Sequence, residues 1–135
     1  MKTSMKTLFA TVCNDDYALG GQVMLYSMKK NIKNLDNCDF KIYYNNKLPP
    51  AGNRAQGCKS AYLTLESFNE TEYNKVIMFD VDMLCVGDLS DLFNNDMQFG
   101  IHHRNTGFVV LGKKYRSEEI YKHLTSKIYS HDGKF

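Results

Sequence analysis

Val76-Ile77-Met78-Phe79-Asp80-Val81-Asp82 is an apolar run that ends in two carboxylates one residue apart. A short continuous run of β-branched, thioether and aromatic side chains fits a strand covered on both faces, the habit of a parallel sheet. Such a strand delivers Asp80 to its carboxyl end. In an extended stretch, Asp80 and Asp82 point to the same side, because side-chain direction alternates with a period of two. Two carboxylates so placed can share a hard divalent ion and leave its other positions to water and phosphate oxygens. The ordinary alternative is that Asp80 bonds a loop backbone while Asp82 faces water.

Upstream, Leu8 to Cys13 is a second short apolar run that suits a buried strand, and Asn14, Asp15 and Asp16 then interrupt it and can cap a helix. Leu19, Val23 and Tyr26 follow the four-and-three rhythm of one helical face, with Lys29 and Lys30 near the end where they complement the dipole. Phe40 to Tyr44 reads as a strand stopped by Asn45-Asn46 and Pro49-Pro50. A loop over 49–57 follows, then a helix around Lys59 to Phe68 with Ala61, Leu65 and Phe68 on one side.

Downstream, Asp88 to Phe93 predicts one or two helical turns, and Gly107 to Leu111 a further strand. Ser117 is a cap, Glu118 and Glu119 favour the first turn, and Ile120, Leu124 and Ile128 form the buried stripe of a last helix. Strands alternating with helices predict an α/β, Rossmann-like fold, with a mainly parallel sheet and ligands beyond the carboxyl ends of its strands.

Composition narrows the function. With 135 residues, 43% hydrophobic and 24% charged, the chain has the size and balance of one globular domain. A formal charge of +2 with dispersed lysines does not ask for nucleic acid. No apolar run approaches the 18 or so residues that cross a bilayer, so no membrane span or signal peptide is expected. Cys13, Cys38, Cys58 and Cys85 lie 25, 20 and 27 residues apart, without zinc-knuckle or redox spacing. They read as reduced core thiols and imply a cytoplasmic protein. Dinucleotide, phosphate-loop and nucleophile-elbow motifs are absent. A phosphohydrolase that places a threonine four residues after its aspartate nucleophile is disfavoured, because Leu84 holds that position.

The segment from Tyr73 to Phe93, which contains Asp80-Val81-Asp82, resembles the metal-site signature of the glycogenin-like retaining glycosyltransferases (family eight), grouped with bacterial lipopolysaccharide hexosyltransferases. Thr11-Val12-Cys13-Asn14-Asp15-Asp16-Tyr17-Ala18-Leu19-Gly20-Gly21 resembles that family's opening, and Asn105-Thr106-Gly107-Phe108-Val109-Val110-Leu111 its strand near the donor. The resemblance implies a GT-A fold and an Mn²⁺-dependent hexosyltransferase, with Mg²⁺ as a substitute ion. It would use a UDP-sugar donor and a glycan or protein hydroxyl as acceptor.

Carried over by position, the resemblance implies Asp80 and Asp82 as metal and catalytic residues. Asn14 and Tyr17 would sit beside the nucleoside, Lys59 at the phosphates or sugar, and Asn105 and Thr106 on the sugar side, with Thr11 and Val81 as further donor contacts. Each also has an ordinary reading: Tyr17 covers the first helix, Lys59 is solvated, and Asn105 caps a turn. The family's later Asp-Gln pair and Lys-Pro-Trp segment have no counterpart, and His131-Asp132-Gly133-Lys134-Phe135 offers His, Gly and Lys only at compressed spacing. A shortened nucleotide-sugar-binding module without independent turnover is therefore the alternative, and an uncovered apolar face in it would favour self-association.

Overall fold

The computed structural model describes residues 6–44, 56–94, 96–102 and 105–130, with 56–62, 94, 102, 105–106 and 128–130 as backbone only. Strand β1 (Thr7–Cys13) leads through a 3-10 turn (Asp15–Tyr17) into α1 (Ala18–Asn31) and on to β2 (Cys38–Tyr44). A 3-10 segment (Gln56–Asn69) precedes β3 (Lys75–Phe79). Then come the short α2 (Asp91–Asn94), β4 (Phe99–His102), β5 (Asn105–Gly112) and α3 (Glu118–Ser130).

The sheet order is β2-β1-β3-β5-β4. β1 pairs in parallel with β2 and β3, whereas β5 runs antiparallel to both β3 and β4. Four strands thus share one direction and β5 opposes them, so the sheet is mixed. The reversal follows from the connection: only residues 103 and 104 separate β4 from β5, far too few for a parallel crossover. The other connections carry α1, the 3-10 segment or α2, as the alternation of elements predicts.

All of β3 and nearly all of β1 is buried, which explains their unbroken apolar sequences. On one face Phe9, Ile77 and Val110 pack against Met24, Met28 and Ile32. There the Phe9 ring meets Phe40, Phe79 and Phe93 at 5.7, 5.8 and 5.7 Å between centroids. On the other face Leu8, Val76, Met78 and Leu111 pack with Leu63 and Phe68. Each fully buried side chain of this kind contributes about 1.5–3 kcal/mol.

Two predicted helix faces are corrected. Leu19, Val23 and Tyr26 do share a face of α1, but it is the outer one: they are 73%, 49% and 67% exposed. The sheet side instead carries Gly21, Met24, Ser27 and Met28. α1 is apolar on two sides, and close approach selects the side with Gly21, where a Cβ would already lie 3.4 Å from Val81 and 3.7 Å from Cys13 Sγ. The predicted helix from Lys59 to Phe68 is a 3-10 run, which turns every three residues. Leu63 and Ser67 are buried in it, whereas Leu65 and Phe68 are only half-buried. In α3 the Ser117 hydroxyl accepts the Ile120 amide at 3.1 Å, the predicted cap, and Ile120 and Leu124 are half-buried. Cys13, Cys38 and Cys85 are buried free thiols.

Polar clamps close the amino end of β3. Buried Lys75 donates to the Leu92 carbonyl at 2.7 Å. Buried Arg116 donates to the carbonyls of Leu111 (3.1 Å), Gly112 (3.3 Å), Tyr73 (2.8 Å) and Glu70. Gly112 ends β5 where its amide donates to the Gln98 carbonyl at 2.7 Å, and a Cβ there would stand 2.8 Å from Gln98 Cα.

Candidate active site

At the carboxyl end of β3 the chain turns instead of staying extended. The Asp80 amide donates to the Gly107 carbonyl at 2.8 Å, and the Met83 amide reaches back to the Asp80 carbonyl at 3.4 Å. The expected alternation of Asp80 and Asp82 along a strand is therefore replaced by a turn. Both line a cavity of about 560 Å³, together with Val81 and Tyr17.

Asp80 is exposed overall, yet partial withdrawal from water at this wall, followed by the negative charge of Asp82, raises its carboxyl above the usual range. Neither aspartate is neutralised by a salt bridge among the described residues. Carboxylates are hard oxygen donors of the kind that bind a divalent cation with open positions left for water and phosphate. No cluster of three or more His, Cys, Asp or Glu capable of holding a metal occurs among the described residues.

The turn is held from three directions. Gly107 receives its first amide, so the Asn105-Thr106-Gly107 motif lies beside Asp80 at backbone level. Gly20 and Gly21 of α1 make room for Val81. Three residues after Asp82, the Cys85 amide donates to Ser27 Oγ and the Cys85 carbonyl accepts from Asn31 Nδ2, each at 2.9 Å.

The remaining predicted residues fall into distinct places. Tyr17 is 56% exposed at the cavity, with its ring accessible. Asn14 caps the preceding 3-10 turn, its Oδ1 accepting the Tyr17 amide at 3.2 Å, so it fixes where Tyr17 stands. Thr11 is fully buried and its hydroxyl donates to the Phe79 carbonyl at 2.7 Å. Its side chain ties β1 to the residue before Asp80 and does not line the cavity. Lys59 lies in the 3-10 run, and Asn105 and Thr106 open β5, all described as backbone only. Residues 131–135, with the tail His, Gly and Lys, lie outside the described residues, as do His103 and Arg104.

Sequence reasoning missed most of the cavity floor. Phe99 and Ile101 of β4 stand opposite Leu111 and Val109 of β5, and all four line the cavity with Met78, Val12 and Phe68. The signal was the alternation Phe99-Gly100-Ile101, which puts both large side chains on one face. Thr64 and Ser67 of the 3-10 run supply hydroxyl-bearing lining residues.

No family model and no curated protein matches the chain. Among solved structures, the apo form of the glycosyltransferase GlyE of Streptococcus pneumoniae TIGR4 superposes with a TM-score of 0.64 at 16% identity, over 93% of this chain and 39% of that one. The galactosyltransferase LgtC in complex with donor and acceptor sugar analogs gives 0.57 at 17% identity, over 94% of this chain and 64% of that one. The bifunctional glycosyltransferase WbbM gives 0.52 at 10% identity, over 98% and 34%. The chain therefore has the GT-A glycosyltransferase fold, and it spans between about a third and two thirds of the length of these structures.

Proposed function

We propose that the chain is the donor-binding part of a retaining hexosyltransferase that moves a hexose from a UDP-sugar to a glycan or protein hydroxyl. The observation that carries this is the meeting of Asp80, Asp82 and Tyr17 at one cavity beyond the carboxyl end of β3 in a GT-A fold. Asp80 and Asp82 would hold Mn²⁺, or Mg²⁺ in its place. Bound there, the ion would neutralise the donor diphosphate and the charge that develops on it as the sugar bond breaks.

The chain's own residues do the rest. Tyr17 offers an accessible ring face for the uracil, and Asn14, whose Oδ1 is engaged in the cap, has its Nδ2 to offer the nucleoside. Lys59 serves the phosphates as a point charge, and Asn105 and Thr106 read sugar hydroxyls. Val81 contributes the backbone between the carboxylates. Thr11 acts from beneath, holding the Phe79 carbonyl and so the strand end that carries Asp80.

Calorimetric titration of UDP-glucose with and without Mn²⁺, in the native chain and in Asp82→Ala, tests the reading. Binding that needs both the ion and Asp82 supports it; a folded protein that binds no UDP-sugar in excess Mn²⁺ excludes it. A second reading is a nucleotide-sugar-binding module without turnover of its own, which the same cavity with Asp80, Asp82 and Tyr17 would serve. Sugar transfer or donor hydrolysis by the isolated chain, abolished by Asp82→Ala, would rule that second reading out.

A further inference from the structure

The outer face of α1 has no use in donor binding, and its composition is unusual. A helix lying on a sheet is ordinarily polar toward solvent. Here Leu19, Val23 and Tyr26 are exposed at 73%, 49% and 67% on the side opposite Met24 and Met28. At 100° per residue they fall within roughly 60° of arc, and Lys30 lies inside the same arc. The exposed face is completed by Gln22 and Lys29.

Charge is divided between the two ends of this stripe. Asp15 and Asp16, both exposed, occupy the 3-10 turn before α1, and Lys29 and Lys30, also exposed, its last turn. Lys29 Nζ rests 5.4 Å from the centre of the Phe40 ring, which leaves Lys30 as the outward cation. The sequence of the face is therefore acidic, apolar, basic.

We propose that this face is a two-fold self-association surface and that its partner is a second copy of the same chain. A two-fold contact is isologous: each residue meets the symmetry mate of its partner. An antiparallel pairing of two α1 helices centred between Gln22 and Val23 sets Leu19 against Tyr26 and Asp15 against Lys30. In this register Leu19 meets Tyr26, Val23 lies at the dyad opposite Gln22, and the acidic end of each helix meets the basic end of the other. A parallel pairing would place Asp15 and Asp16 against their own copies and Lys30 against Lys30, a like-charge arrangement that disfavours it. A single helix pair buries less than the roughly 1,200–2,000 Å² of a standard interface, so the dimer is weak and sensitive to salt. The surface stands apart from the donor reading and would persist without it.

Sedimentation of the full chain from about 10 µM to about 1 mM covers the range in which so small a contact dissociates. The expected result is a reversible monomer–dimer equilibrium, weakened several-fold between about 0.05 and 0.5 M salt. Val23→Glu, next to the dyad, should weaken it by about tenfold or more. Lys30→Glu alone and Asp15→Lys alone should each weaken it, and the double variant Asp15→Lys with Lys30→Glu should restore it. All three positions are exposed, and circular dichroism checks that the fold is kept. A monomer at every concentration, association that Val23→Glu leaves unchanged, or a charge swap that fails to restore pairing would each overturn the proposal.

Discussion

The two ends of β3 treat charge in opposite ways. At the amino end, Lys75 and Arg116 are buried, and carbonyl oxygens accept from both. At the carboxyl end, Asp80 and Asp82 are exposed beside a cavity, and partial withdrawal from water, then the charge of Asp82, raises the Asp80 acid. Buried cations surrounded by carbonyls have finished their work within the fold. Acidic groups beside an open cavity, with no salt bridge among the described residues, gain from a ligand that brings positive charge.

Substitutions at the two ends should therefore separate stability from binding. The largest effect is expected at Arg116→Ala, which leaves the carbonyls of Leu111, Gly112, Glu70 and Tyr73 without their donor. Urea denaturation should show a loss of about 3 kcal/mol or more. Arg116→Lys should recover only part of it, since one ammonium cannot reproduce the guanidinium fork. Gly112→Ala should cost about 1–3 kcal/mol, because the new Cβ meets the Gln98 backbone and that backbone must shift. At the opposite end, Asp82→Asn should change stability by no more than about 0.5 kcal/mol in the same assay, while Mn²⁺-dependent UDP binding is lost.

The smallest effect is expected at Asp88, on the segment that follows the acidic turn. Its carboxylate accepts from the Ser90 hydroxyl (2.6 Å), the Lys33 amide (3.1 Å) and the Ser90 amide (3.2 Å). The Ser90 hydroxyl first, then the Lys33 amide, hold its acid below the usual value. A depressed folded pKa means that its stabilisation is present above the unfolded value of 3.8 and is lost as pH falls through the folded one. The Lys33 and Ser90 amide resonances should accordingly move only under strong acidification, and Asp88→Asn should abolish that movement.

The same contrast explains what was legible in the sequence. β3 and its acidic end could be read directly because both depend on consecutive residues: a continuous apolar run needs cover on both faces, and Asp80 and Asp82 follow it at once. Lys75 and Arg116 could not, since an isolated lysine or arginine reads as solvated and only the fold brings carbonyls around it. The same holds for α1, where apolar residues on two sides left the choice to the space at Gly21. The reversal of β5 depended on a two-residue connection, and the turn at Asp80 on an acceptor at Gly107. Thr11 sits in the recognisable opening motif, yet its contribution passes through the Phe79 carbonyl, a contact across 68 residues that no local pattern records.

The most direct test of the contrast is thermal unfolding of the native chain, Asp82→Ala and Arg116→Ala with Mn²⁺ and UDP added separately and together. The pair of ligands should stabilise the native chain by about 2.7 kcal/mol at a hundredfold excess over Kd. Asp82→Ala should unfold like the native chain without ligands and gain nothing from them, while Arg116→Ala should unfold earlier yet still respond. Equal stabilisation of the native chain and Asp82→Ala would contradict the placement of the donor site at the carboxyl end of β3.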